Sequence, residues 1–355
     1  MADGRLFPEH KEAQEKEAHS HDRTLDAYAN VWLESCRRKN LKSTTMLRYV
    51  GILNTHLRPA LGHLLLSAID RARVREMVLN PGVAGLAPKT LHNILRTLSA
   101  IFSQAIEDGL VAHNPALKPS KLVKIRKVGE HVEVFSHEEE VLVLATAKAT
   151  WPHYYPFILT LFRTGLREGE AIALMPDDLD LRSRYVLVER NFTAGQLEES
   201  PKSGKRREVD LARDLVGVLK EHLALQEAEA AMTGKPRQKW LFTSQQGGIL
   251  RSNNFRDRVW KPLLRHAGIR YRTVHATRHT FATRLIMGSA RLVYVQKQLG
   301  HSSIQITVDL YTHWIKRSDR ARTLEVDNLL TPPNEYDGGT FGGTRPNASL
   351  EVAKT

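Results

Sequence analysis

Apolar residues along this chain fall mostly at helical spacing. In TLHNILRTLSAIFSQAIEDG (90–109), Leu91, Ile94, Leu95, Leu98, Ile101, Phe102 and Ala105 recur every three or four positions, and Gly109 supplies a C-terminal stop. LDAYANVWLESC and STTMLRYVGILNTHL carry the same period and are interrupted at RPALG and NPGVAG. Together they predict a helical bundle over residues 22–115, large enough to own a core. A second helical series opens at SHEEEVLVLATAKA, where Ser136 and Glu139 have capping-box spacing. It resumes at ARDLVGVLKEHLALQ, SNNFRDRVWKPLLRHAG, HATRHTFATRLIMG and RLVYVQKQLG. Between these, RYVLVER (184–190) and KRREVDL (205–211) alternate as strands, with NFTAGQLEESPKSG expected to be their connection. The predicted class is therefore mainly α with a small antiparallel β-sheet, in two domains.

One stretch fits both periods. In LGHSSIQITVDLYTH (299–313), Ile304, Ile306, Val308 and Leu310 alternate like a half-buried strand, yet Ser302 and Gln305 are spaced as a capping box. Read as a helix, Ile304, Val308 and Tyr311 form one stripe, which puts the tyrosine at the edge of a buried face. Gly300 then ends the preceding helix and leaves His301 at the junction.

Charge adds a partner to this picture. The 355 residues hold 52 Lys+Arg against 39 Asp+Glu, a formal charge of +13 that favours a polyanionic ligand. PALKPSKLVKIRKVG (115–129) concentrates five basic residues and no acid, and residues 116–131 read as a basic linker to a second domain over 132–330. Residues 1–21 read as a polar arm, and the Gly/Pro/Asn-rich residues 331–355 as a disordered tail. No apolar run approaches the roughly 18 residues of a spanning helix, and the polar start does not resemble a signal peptide, so a cytoplasmic location is expected. The single cysteine, Cys36, excludes an internal disulfide and reads as a small buried hydrophobe.

Three islands carry candidate chemistry. TGLREGE (164–170) sets Arg167 at a turn into a helix, with Glu170 one turn later. HATRHTFATR (275–284) puts His275 and Arg278 on one helix face; His275 and His279 also have the spacing of an HExxH metal pair, but Arg278 stands where that motif has glutamate and would repel a dication. The third island is LGHSSIQITVDLYTH, with His301 and Tyr311. Each taken alone has a bland reading: a surface arginine, a capping histidine, a core tyrosine.

In this order and at these separations, the three islands resemble the signature of the tyrosine recombinases, the phage-type integrases, over roughly residues 22–330. The N-terminal LKSTTMLRYVGILNTHLRPALG is similar to that family's core-binding domain. The resemblance implies transesterification of a DNA phosphodiester through a 3′-phosphotyrosyl link, without ATP or a metal cofactor. It matches Tyr311 to the nucleophile, Arg167 and Arg278 to the phosphate clamp, His275 and His301 to phosphate-binding and proton-handling positions, and Glu170 to an acidic position that buttresses the site. Lys202, in SPKSGKRREVDL, matches the family's general acid, with Lys205 the alternative. His279 has no matched role and reads as a helix or DNA-contact residue. The family pattern further implies duplex DNA as substrate, a homotetramer on two sites, a Holliday junction, and accessory bending and directionality proteins. Residues 1–21 are too few for the additional arm-binding domain of longer integrases, which points to a short-form enzyme or a later reading-frame start. Two other readings stay open: a type IB topoisomerase, and a DNA-binding protein of the same fold without catalysis.

Overall fold

A computed structural model describes residues 23–39, 41–119, 132–199 and 206–321. Its first core is built by helices. Helix α1 (Leu25–Arg38) begins where the Thr24 hydroxyl accepts from the Ala27 amide. Helix α2 (Ser43–Ile52) runs through a π-type turn (Leu53–Leu57) into Arg58–Leu61, so the chain passes Pro59 and stops only at Gly62. The wider turn fits the amide that proline lacks, and the same device recurs at Arg256–Trp260 ahead of Pro262. Helices α3 (Arg71–Leu79) and α4 (Pro88–Glu107) close the bundle; on α4 every residue of the expected apolar face is buried. Tyr28 donates to Asp108 at 2.6 Å, tying α1 to the end of α4, and Cys36 lies within this core. Ala116, expected at the start of the linker, packs into the same core, whereas residues 120–131 lie outside the described residues.

The second core starts at α5 (His137–Thr150), whose capping box forms as read: the Ser136 hydroxyl accepts from the Glu139 amide, and the Glu139 carboxylate accepts from the Ser136 amide. Helix α6 (Tyr155–Thr164) crosses it, buried along most of its length. Phe135 meets Phe162 and Trp260 edge to face, and the indole of Trp260 donates to the Arg272 carbonyl at 2.7 Å. A short helix α7 (Glu168–Ile172) leads to three antiparallel strands, β1 (Leu179–Asp180), β2 (Tyr185–Val188) and β5 (Arg207–Asp210), in the order β1-β2-β5. The two expected strands therefore pair, Val186 opposite Val209. Their expected connection is itself partly ordered: β3 (Asn191–Thr193) and β4 (Gln196–Glu198) make a hairpin turning at Ala194 and Gly195, both at positive φ.

After α8 (Arg213–Thr233) and the helix that ends in α9 (Lys261–His266), the chain closes with α10 (His275–Met287), α11 (Leu292–Leu299) and α12 (Ile304–Ala321). Helix α10 lies against both α6 and α12, which places it at the centre of this half. Buried Glu140 of α5 pairs with Arg163 of α6 and Arg284 of α10, so one carboxylate fastens three helices. A separate apolar cluster of Val132, Ala282, Ile286, Val295, Leu299 and Tyr311 holds α12 to α10 and α11. The stretch 304–313 is helical, and the strand-like alternation within it is misleading. Its buried stripe is Thr307 and Tyr311 with half-buried Trp314, while Ile304 is exposed. The Gln305 amide, expected in a cap, donates to Asp309.

Candidate active site

Helix α6 ends at Gly165, in the left-handed region (φ 62°), and the chain turns back there. A β-carbon at this position would lie 2.4 Å from the Phe281 ring, so both backbone angle and space require glycine. Two residues on, Arg167 sits in extended conformation as the residue flanking α7. Glu170, in the first turn, accepts from both the Arg167 amide (3.0 Å) and its guanidinium (2.8 Å). From the other side Arg207 of β5 donates twice to the same carboxylate, at 2.7 and 3.2 Å, and through Nε to the Gln298 carbonyl at 3.1 Å. Glu170 is fully buried, which pushes its carboxyl up, but Arg207, Arg167 and Arg278 overcome this and hold it down at about 2. It is a permanent anion between cations.

Arg278 enters from α10. Its Nη1 donates to the Gly165 carbonyl (2.8 Å) and its Nη2 to the Leu299 carbonyl (2.7 Å), so the guanidinium lies between the C-terminal ends of α6 and α11. Helix C-termini present unpaired carbonyls and partial negative charge, and they stabilise a cation that is only 2% exposed. Burial, then Arg167 and Arg207, lower its pKa to about 9, which still leaves it charged at neutral pH. Two guanidinium groups thus bond one carboxylate and a third acts on it through space, an arrangement with surplus positive charge suited to a phosphate.

The histidines and the tyrosine flank this cluster. His301, after the left-handed Gly300, is half-buried with Nδ1 2.9 Å from the Thr307 hydroxyl. Burial and the nearby charges of Arg278 and Arg167 lower it to about 3, so its ring is neutral at pH 7. Tyr311 is fully buried, not at an edge, and burial raises its phenol to about 12, an effect that Arg278 opposes. Its hydroxyl lies 2.9 Å from Nδ1 of His279, and His279 in turn meets the exposed His275 ring edge to face at 4.7 Å. Lys202 and Lys205 lie outside the described residues, between β4 and β5.

The structure thus brings Arg167, Glu170, Arg278, His301, Tyr311 and His275 to one end of α10, adds Arg207, which the sequence reading passed over, and sets His279, read as a helix or DNA-contact residue, against Tyr311. Arg207 had a visible signal: in KRREVDL it shares the inward side of β5 with buried Val209, and a charge on the core side of a strand implies a buried partner. The His279–Tyr311 contact had none, because the residues are 32 apart and on different helices.

The sequence profile of the phage integrase family matches residues 133–317, and that of the phage integrase N-terminal SAM-like domain matches residues 24–80. The chain belongs to the phage integrase family, the tyrosine recombinases. Within this family it is 28% identical over 333 residues to a tyrosine recombinase XerC-like protein of Caldanaerobacter subterraneus, covering 87% of this chain and 83% of that one. It is 24% identical to the transposase of transposon Tn916 from Enterococcus faecalis, over 79% and 72% of the two chains. Among solved structures, the Tn1549 transposon integrase in complex with transposon right end DNA superposes with a TM-score of 0.71 at 23% identity, over 87% of this chain and all of that one. A λ integrase tetramer bound to a Holliday junction superposes at 0.64 and 18% identity, over 85% and 83%. These likenesses establish the two-domain fold, and the cluster around Glu170 and α10 lies within residues 133–317, which the phage integrase profile matches.

Proposed function

We propose that this tyrosine recombinase breaks and rejoins duplex DNA at specific sites, with Tyr311 as the nucleophile and a 3′-phosphotyrosyl intermediate. The observation that supports this reading is the convergence of Arg167, Arg207 and Arg278 on Glu170, with Tyr311 within the electrostatic reach of Arg278. Arg167 and Arg278 pair with the non-bridging oxygens of the scissile phosphate and stabilise the charge that builds up at phosphorus. The helix ends that already hold Arg278 fix its plane, and its other N–H groups face the phosphate. Glu170, clamped by Arg207, orients Arg167. His301, neutral and tethered to Thr307, donates or accepts a hydrogen bond without adding charge, and His275 reaches the phosphate from the exposed end of α10. Lys202 protonates the departing 5′-oxygen, a step open to an amine and closed to a guanidinium.

By the same reading the enzyme works in the cytoplasm as a homotetramer on two sites, exchanges strands through a Holliday junction, and needs neither ATP nor a metal. Because the phenol is fully covered, α12 shifts before attack. A nicked suicide duplex built from the DNA that flanks the gene tests the proposal. Wild type should accumulate a covalent protein–DNA adduct, and Tyr311→Phe should form none. Adduct formation by the Phe variant would contradict it, and relaxation of plasmids without sequence preference would favour a topoisomerase instead.

A further inference from the structure

The phenol of Tyr311 must lose a proton as its oxygen attacks phosphorus, and at neutral pH nearly all of it is protonated. The resemblance assigns proton handling to His275 and His301. In the structure His301 Nδ1 is taken by Thr307, while the ring nitrogen at hydrogen-bond distance from the phenol belongs to His279, at 2.9 Å. His279 is half-buried on α10, directly after Arg278, and its ring lies 5.9 Å from that of Tyr311, so the bond joins the two helices that carry the clamp and the nucleophile. Around it stand His275 and Arg278 from its own helix, Tyr311 from α12 and His301 from the loop before α12.

We infer that His279 is a catalytic residue of this recombinase, the proton acceptor for Tyr311. The phenol donates to Nδ1 in the resting arrangement. On attack the Tyr311 O–H bond breaks, the proton passes to Nδ1, the oxygen bonds to phosphorus, and the P–O5′ bond breaks with its electron pair leaving on the 5′-oxygen, which is protonated by the separate acid. On rejoining, the 5′-hydroxyl attacks, and the proton on Nδ1 returns to the departing phenolate. The inference rests on Tyr311 being the nucleophile.

The test is single-turnover adduct formation by wild type, His279→Ala and His279→Gln, on the nicked duplex and on the same duplex with a 5′-bridging phosphorothiolate at the scissile position. Sulfur leaves without an acid, so a defect in the acid is relieved by this substrate and a defect in the base is not. Both variants should be slowed about 10²- to 10³-fold, the range of a single general base. Both should stay slow on the phosphorothiolate and lose the imidazole limb of the pH–rate profile, with gel-shift affinity for the intact duplex kept. The inference is overturned by His279→Ala at wild-type or higher rate, by His279→Gln restoring the rate, or by rescue with sulfur. Should both variants fail to bind DNA, 15N NMR of the wild-type imidazole decides: Nδ1 protonated at neutral pH contradicts the assignment, and Nδ1 unprotonated supports it. If wild type makes no adduct, or Tyr311→Phe still does, the nucleophile assignment has failed as well; an adduct that depends on Tyr311 and ignores His279 defeats this inference alone.

Discussion

Around Glu170, guanidinium groups from α7, β5 and α10 are cross-braced by a buried carboxylate and by helix-end carbonyls, whereas the helix that carries Tyr311 is held by apolar contacts together with the Tyr311–His279 and Thr307–His301 hydrogen bonds. The first region is prebuilt for an anion before any ligand arrives, and its charges cannot relax without leaving Glu170 buried and unpaired. The second is the last described element of the chain, begins on exposed Ile304 and Ile306, and can shift without separating buried charges. The arginine cluster is braced by buried charge, and the helix of Tyr311 is fastened mainly by apolar contacts. On the proposed mechanism, that difference would keep the site inert until α12 delivers its phenol.

The contrast has measurable consequences for stability. Arg207→Met removes the stronger partner of Glu170 and should cost about 3 kcal/mol in guanidinium melts, the low end for opening a buried pair, because Arg167 remains. Equal stability of this variant and wild type would erase the rigid half of the comparison. Gly165→Ala, which must strain a positive φ and push the Phe281 ring, should cost about 2 kcal/mol and displace the carbonyl that holds Arg278. Acid acts through His301 and through buried Glu168 with opposite signs. The folded-state value of His301 lies below the ordinary 6.5, at about 3, so its contribution is complete above pH 6.5 and is lost as pH falls from there toward 3, whereas burial holds Glu168 up at about 7 and favours the folded state as pH falls. Glu168 is common to both proteins, so between pH 6.5 and 5 wild type should lose about 1 kcal/mol relative to His301→Asn, allowing for solvent at the half-buried ring. Glu170, held at about 2, adds only a small loss near pH 5, which is common to both proteins. On the lightly fastened side, Ile304→Ser should change stability by no more than about 0.5 kcal/mol, since the side chain is exposed.

Much of the fold could be read from periodicity: α4 buries its predicted face, and β2 and β5 pair as expected. The β3–β4 hairpin could not, because strands of three residues are too short to show alternation. The π-type turns were equally hidden, since a single wider turn does not alter the apolar period. Within α12 the pattern misplaced the buried stripe by one turn. Thr307 is fully buried because its hydroxyl partners His301, and a polar residue on an inward face defeats any count of apolar positions. The site itself depends on contacts across more than a hundred residues, such as Arg278 with Gly165, 113 apart. Local spacing cannot bring those islands together; the family resemblance did, and it was silent on Arg207 and His279.

If the arginine cluster serves an attack by Tyr311, the covalent bond to DNA must be found on that residue. Mass spectrometry of the complex trapped on the nicked duplex in the presence of EDTA reads it out. A DNA-linked peptide modified at Tyr311 is expected; an adduct on any other residue, or no adduct at all, rules the mechanism out.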